Sequence, residues 1–149
     1  MVIKDDATEM HARGWRTLAA LYGLIERELE QALQAAVGLS VIEYSVLDAL
    51  GRHDGWQMRM QPLARATALS ASAATRLVNR LERKGLLQRI LCADDRRGIN
   101  TGLTLLGGEL LMSARSAHDR ALEKAWAGAE GIAELAPLMR ALPQLSAPG

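Results

Sequence analysis

Cysteine, aromatic rings and long apolar runs are all scarce in this chain, and each scarcity closes off a class of protein. The single cysteine, Cys92, rules out an intrachain disulfide framework and a Cys-type zinc cluster, and it reads as structural rather than as a redox sensor. His11, His53 and His118 are too scattered for metal-ligand spacing, so no metal is expected. No apolar run approaches the roughly 18 to 20 residues that span a bilayer. The segment from Met1 to Arg13 carries acids instead of a basic start and an apolar stretch. A cytoplasmic protein with no membrane partner is the expectation. There is no Gly-rich phosphate loop, no HExxH and no grouped nucleophile, base and orienter. Catalysis and a cofactor are therefore not expected.

What is present is enough apolar material to fold: 49% hydrophobic residues, with only five aromatics, in 149 residues of net charge +1. That is one domain's worth of chain and too hydrophobic for intrinsic disorder. The near-neutral total conceals a segregation. Residues 52–97 hold ten basic side chains against four acidic ones, a local charge of +6, while the two flanks together carry −5. A basic middle between acidic arms is the electrostatic footprint of a nucleic-acid surface, because neutralised phosphates release condensed counterions. A solvated basic face without a partner is the alternative.

Residues 8–37 contain no proline and repeat Trp15, Leu18, Ala19, Tyr22, Ile25, Leu29, Leu33 and Ala36 at helical spacing, which predicts one long helix ended by Gly38. Leu21 and Leu24 add a second apolar flank. Ser40 is placed to cap a helix over 41–51, ended by Gly51. HDGW at 53–56 is turn-like, Arg59 and Met60 suit a short strand, and Pro62 opens a short helix through Ala68. In LSASAATRLVNRLERKGLLQR, residues 69–89, Ser70 reads as an N-cap and Gly85 as a left-handed stop, which leaves 71–84 helical. At about 100° per residue, Ala74, Leu77, Val78 and Leu81 share one face, and Ser72, Arg76, Asn79, Arg80 and Arg83 lie opposite. Small polar groups, Arg and Asn are the side chains that reach base edges and phosphates, although the same pattern also fits a solvated helix face. Leu87–Cys92 and Ile99–Thr104 then read as two strands around the charged turn ADDRRG at 93–98. The fold class is mainly α with a small β-hairpin wing. The order helix, short strand, helix, turn, helix, hairpin is that of a winged helix-turn-helix, with the last helix in the major groove.

LERKGLLQR at 81–89 and DRRGINTGLTLLG at 95–107 are the densest part of a resemblance to the MarR (multiple antibiotic resistance regulator) family that runs from Gly38 to Gly107. Its pattern of Leu-Glu, a basic pair and Gly, then Asp-x-Arg, then Leu-Thr-x-x-Gly is met by Leu81 to Gly85, by Asp95 and Arg97, and by Leu103, Thr104 and Gly107. The resemblance implies double-stranded DNA as partner. The recognition helix would present Ser72, Ala73, Thr75, Arg76, Asn79, Arg80 and Arg83. In the wing, Arg97 would enter or border the minor groove, Asp95 would hold the turn and Arg96 would meet a phosphate. Departures from the pattern are Leu105 and Leu106 where polar residues are usual, Gly98 at the wing tip, and Ala73 with only a methyl group to offer a base.

Thr104 begins a second long helix to about Ala127, and a shorter helix is expected over 129–142, both with apolar residues at helical intervals. The winged segment alone cannot cover these stripes, so they are expected to interlock with a second copy of the chain. The organisation is then an N-terminal dimerisation helix, 1–37, a winged helix-turn-helix domain, 38–104, and C-terminal dimerisation helices, 105–149, in one intertwined homodimer. Two-fold symmetry predicts a pseudo-palindromic operator. Trp15, Tyr22, Tyr44, Met112 and Arg115 either pack in the core or line a cleft where similar regulators take a small phenolic or anionic effector. The resulting expectation is a ligand-responsive repressor. The alternative is a winged-helix protein-interaction module that has lost DNA binding, distinguished by a weak salt dependence.

Overall fold

The computed structural model describes residues 6–91 and 98–146. Helix α1 runs from Asp6 to Val37. It stops at Gly38, whose φ of +70° is open to glycine at no steric cost, with its N–H donating to Leu33 and Gln34 carbonyls. Helix α2 (Val41–Arg52) opens on a complete capping box: the Ser40 hydroxyl accepts from the Glu43 amide and the Glu43 carboxylate accepts from the Ser40 amide. Gly51 does not end this helix, contrary to the sequence expectation; it lies inside it. Its role is packing, because a Cβ there would sit 2.5 Å from Leu111 Cδ2.

Strand β1 is Gln57–Arg59, earlier in the chain than expected, and helix α3 (Met60–Ala66) already includes Met60. Pro62 is therefore the third residue of α3 rather than the first, still within the turn whose N–H groups lack helical partners. Helix α4 (Ala71–Arg83) follows with Ser70 as N-cap. Strands β2 (Leu87–Leu91) and β3 (Ile99–Leu103) form the hairpin. Strand β3 is central in a three-stranded antiparallel sheet of order β1-β3-β2, with Met58 opposite Thr101 and Arg89 opposite Thr101 on the other side. The short strand before α3 thus joins the wing sheet instead of standing alone. The wing tip, and with it the expectations for Cys92, Asp95, Arg96 and Arg97, lies outside the described residues.

Helix α5 spans Leu105–Glu130. It outlasts its expected end because small residues continue its buried stripe through Ala121, Ala125 and Ala129. The last helix correspondingly starts late: a single 3-10 turn, Ala133–Leu135, leads into α6 (Ala136–Leu145), with Pro137 in its first turn.

The chain divides into two compact units, residues 32–118 and residues 1–31 with 119–149. In the first, Leu33, Leu39, Val46, Leu47, Leu50, Leu63, Val78 and Leu81 form a core of almost wholly buried aliphatics. At about 1.5–3 kcal/mol for each such side chain, this core is the main driving force for the winged unit. In the second, Leu21, Ala129, Leu135 and Met139 pack with Leu24, Ile25, Trp126, Leu138 and Leu142. The two apolar flanks of α1 therefore differ: Leu21 is buried, whereas Trp15, Leu18 and Tyr22, spaced three and four apart, stay 65%, 45% and 62% exposed in the single chain. No single described helix is long and apolar enough to cross a membrane.

Candidate nucleic-acid interface

Helix α4 owes its orientation to four buried side chains on one face, Ala74, Leu77, Val78 and Leu81. Its start is fixed by Ser70 Oγ, which accepts from the Ala73 amide at 3.2 Å. Its end is fixed by Gly85, at φ +77°, and by the Leu86 amide donating to the Leu81 carbonyl. Opposite the buried face, Ser72, Thr75, Arg76, Arg80 and Arg83 are exposed, and Ala73 and Asn79 are half-buried. The seven recognition-helix residues named from the sequence thus lie on the accessible side of one helix.

The side chains on that surface are not equivalent. Thr75 Oγ1 donates back to the Ala71 carbonyl at 2.9 Å. Asn79 Oδ1 accepts from Arg89 Nη2 at 3.0 Å, while Arg89 Nε donates to Glu82 at 3.1 Å. Arg89, on β2, therefore braces the hairpin to the recognition helix, and one side of the Asn79 amide is already engaged. Lys84 Nζ donates to Glu43 Oε2 at 2.9 Å, and Arg80 Nε stands 3.8 Å from the same oxygen. Among the described residues, Arg76 and Arg83 are the two α4 guanidiniums outside any ion pair.

Glu43 is only 5% exposed. Burial alone pushes its carboxyl upward, but the hydrogen bond from Lys84, those from Ser40 and the Lys84 charge outweigh it, and the group ends below the usual carboxylate range. Sequence reasoning missed this residue as a site component. Its Ser-x-x-Glu cap was legible, but the partner Lys84 lies 41 residues away.

The hairpin returns to the helix through one threonine. Thr104 Oγ1 donates to the Gly85 carbonyl at 2.7 Å and accepts from the Gly107 amide at 3.0 Å, and the Thr104 amide donates to the Leu86 carbonyl at 3.1 Å. A Cβ on Gly107 would collide with that same Leu86 carbonyl. Leu-Thr-x-x-Gly and the glycine after the basic pair are therefore two halves of one latch.

Of the residues considered for an effector, Tyr44 is buried and stacks on His118, with ring centroids 4.4 Å apart. Arg115 donates to Asp48 Oδ1 at 3.2 Å, and Arg52 donates to Asp48 Oδ2 at 2.8 Å. A cavity of about 480 Å³ is lined by Tyr44, Ser45, Asp48, Ala49, Arg52, Ala66 and His118. Met112 is exposed and not among these residues, and Trp15 and Tyr22 belong to the other compact unit. Asp48, Arg52 and His118 were not anticipated. His118 carried no signal beyond being one of three dispersed histidines.

A three-helix unit whose last helix offers a cationic outer face, latched to an antiparallel hairpin, defines a winged helix-turn-helix regulator. A model of the MarR family matches residues 37–98. The structure of AbsC, a MarR-family transcriptional regulator from Streptomyces coelicolor, is similar over 98% of this chain and 96% of its own, with 29% identity and a TM-score of 0.75. A second MarR-family regulator from the same organism, solved in complex with DNA, matches over 100% of this chain and 92% of its own at 25% identity and a TM-score of 0.71. A mutant E. coli MarR complexed with operator DNA shares the fold at 20% identity, covering 97% of this chain and 100% of its own, with a TM-score of 0.74. No curated protein matches by sequence. The winged segment of the chain is similar to the MarR family, and the whole chain shares the winged helix-turn-helix fold of these transcriptional regulators.

Proposed function

We propose that this regulator acts in the cytoplasm as a homodimer, binds a pseudo-palindromic DNA operator and represses transcription until a small effector releases it. The observation that carries DNA binding is the outward face of α4. It sets Arg76 and Arg83, outside the ion pairs of the described residues, beside Ser72 and Asn79, with the hydrophobic face of the same helix sunk in the core. On such a face a guanidinium meets phosphates or, bidentately, a base edge, and the small polar groups beside it also read base edges. Arg97, with Asp95 and Arg96, supplies the wing contact by family likeness. The exposed Trp15, Leu18 and Tyr22 stripe supports dimerisation, since a monomer gains nothing from three such residues in a row.

The cavity beside Tyr44 and His118 supports an effector site. Its Asp48 already bridges Arg52 and Arg115, so an anionic or phenolic ligand would compete for those guanidiniums and shift the population of DNA-competent conformers. The test is selection of duplexes from a randomised pool, followed by affinity measurements against salt and candidate effectors. Enrichment of a two-fold symmetric site, with affinity falling steeply as salt rises, is the expected result. Absence of any enriched sequence overturns the reading.

A further inference from the structure

Helix α4 and its C-cap carry four cations, and the structure divides them. Arg76 and Arg83 are free of ion pairs among the described residues, whereas Lys84 and, at longer range, Arg80 converge on Glu43 Oε2. Glu43 is itself fixed, since its other oxygen accepts from the Ser40 amide in the capping box. The Glu43–Lys84 bridge joins the N-terminal turn of α2 to the C-terminal end of α4. Each charge sits at the helix end whose dipole favours it, the carboxylate at the positive end of α2 and the ammonium at the negative end of α4. With the carboxylate buried and the Lys84 side chain 44% exposed, the bridge is not an ordinary solvated surface pair.

Resting on the DNA-binding reading above, we infer that Glu43 is a positioning residue for duplex recognition: it withholds Lys84 from the phosphates and pins the C-terminal end of α4 to the cap of α2. The cations available to a duplex are then chosen by geometry, and the helix keeps one presentation. Removing the carboxylate would leave a loosened helix with an extra phosphate-seeking cation, a surface that binds any duplex more tightly and distinguishes sequences less well.

The experiment compares affinity for the best duplex selected by the unaltered protein with affinity for a scrambled duplex of the same composition, each as a function of salt. Glu43→Gln is the informative variant, because glutamine preserves the capping box while removing the charge. The expected result is a steeper dependence on salt, by about 0.9 in log–log slope for each additional phosphate neutralised. Binding to the scrambled duplex rises several-fold, and the ratio between the two duplexes falls. Lys84→Met in the otherwise unaltered protein leaves the slope in place, whereas Arg83→Met reduces it by about 0.9 per protomer. In the double variant, Lys84→Met cancels the steepening caused by Glu43→Gln. Two results overturn the inference: a slope lost on Lys84→Met as it is on Arg83→Met, or a Glu43→Gln protein that is less stable but has an unchanged slope and ratio. Failure of the unaltered protein to bind either duplex is a separate outcome. It sinks the DNA-binding reading first, and this assignment with it.

Discussion

Arg76 and Arg83 sit on the same face of one helix, yet they stand in different relations to a duplex. Arg76 is near the middle of α4 among short side chains, where a guanidinium can reach a base edge. Arg83 lies in the last turn, two residues before Gly85, and on the proposed reading it meets the phosphate backbone. Arg76→Ala is therefore expected to cost about 1–3 kcal/mol of operator affinity and to relax base preference at one position. Arg97→Ala should weaken binding to most sequences and flatten the salt dependence. Competition binding on a panel of single-base operator variants separates the two, and identical profiles would show the roles to be wrongly divided. Glu43 yields a pH prediction of definite sign. Its folded-state carboxyl titrates below the ordinary value of 4.5, so its contribution to stability is fully present above that value and is lost as pH falls through the depressed one. Urea midpoints of the unaltered protein and Glu43→Gln should differ clearly at neutral pH and converge in acid. A difference that persists unchanged into acid would contradict the bridge.

At the level of elements, the latch between the recognition helix and α5 makes a mechanical prediction. Gly107→Ala forces a methyl group into the Leu86 carbonyl and should destabilise the winged unit by about 1–3 kcal/mol, as overpacking does. Thr104→Val keeps the shape but removes the cap and the bond to Gly85, at about 1–2 kcal/mol. Urea denaturation of both variants provides the measurement. The elements themselves are largely legible in the sequence: α1 and α4 from apolar periodicity and their signposted ends, and the hairpin from two short runs around a charged turn. Each error has an identifiable physical cause. A three-residue strand has no measurable period, so β1 is placed too late from sequence. Gly51 reads as a stop because its reason for being glycine, the side chain of Leu111, comes from a helix far along the chain. Ala125 and Ala129 extend α5 by packing, and alanine gives little periodic contrast. The cationic face of α4 is readable. Its division into free and tethered charges is not, because Glu43 and Asn79 acquire Lys84 and Arg89 only through tertiary folding.

For the molecule as a whole, the exposed Trp15, Leu18 and Tyr22 stripe is the proposed dimer contact, so Leu18→Glu should shift sedimentation from dimer to monomer. Losing the second half-site should then lower operator affinity by about 100-fold or more, since the two contacts act together. A dimer that survives this change would place the interface elsewhere. The division into two compact units has a further consequence. Its boundaries fall after Gln31 and His118, inside α1 and inside α5, where the backbone is fully committed to hydrogen-bonded turns. A protease probing the native protein should find no soft joint at either place.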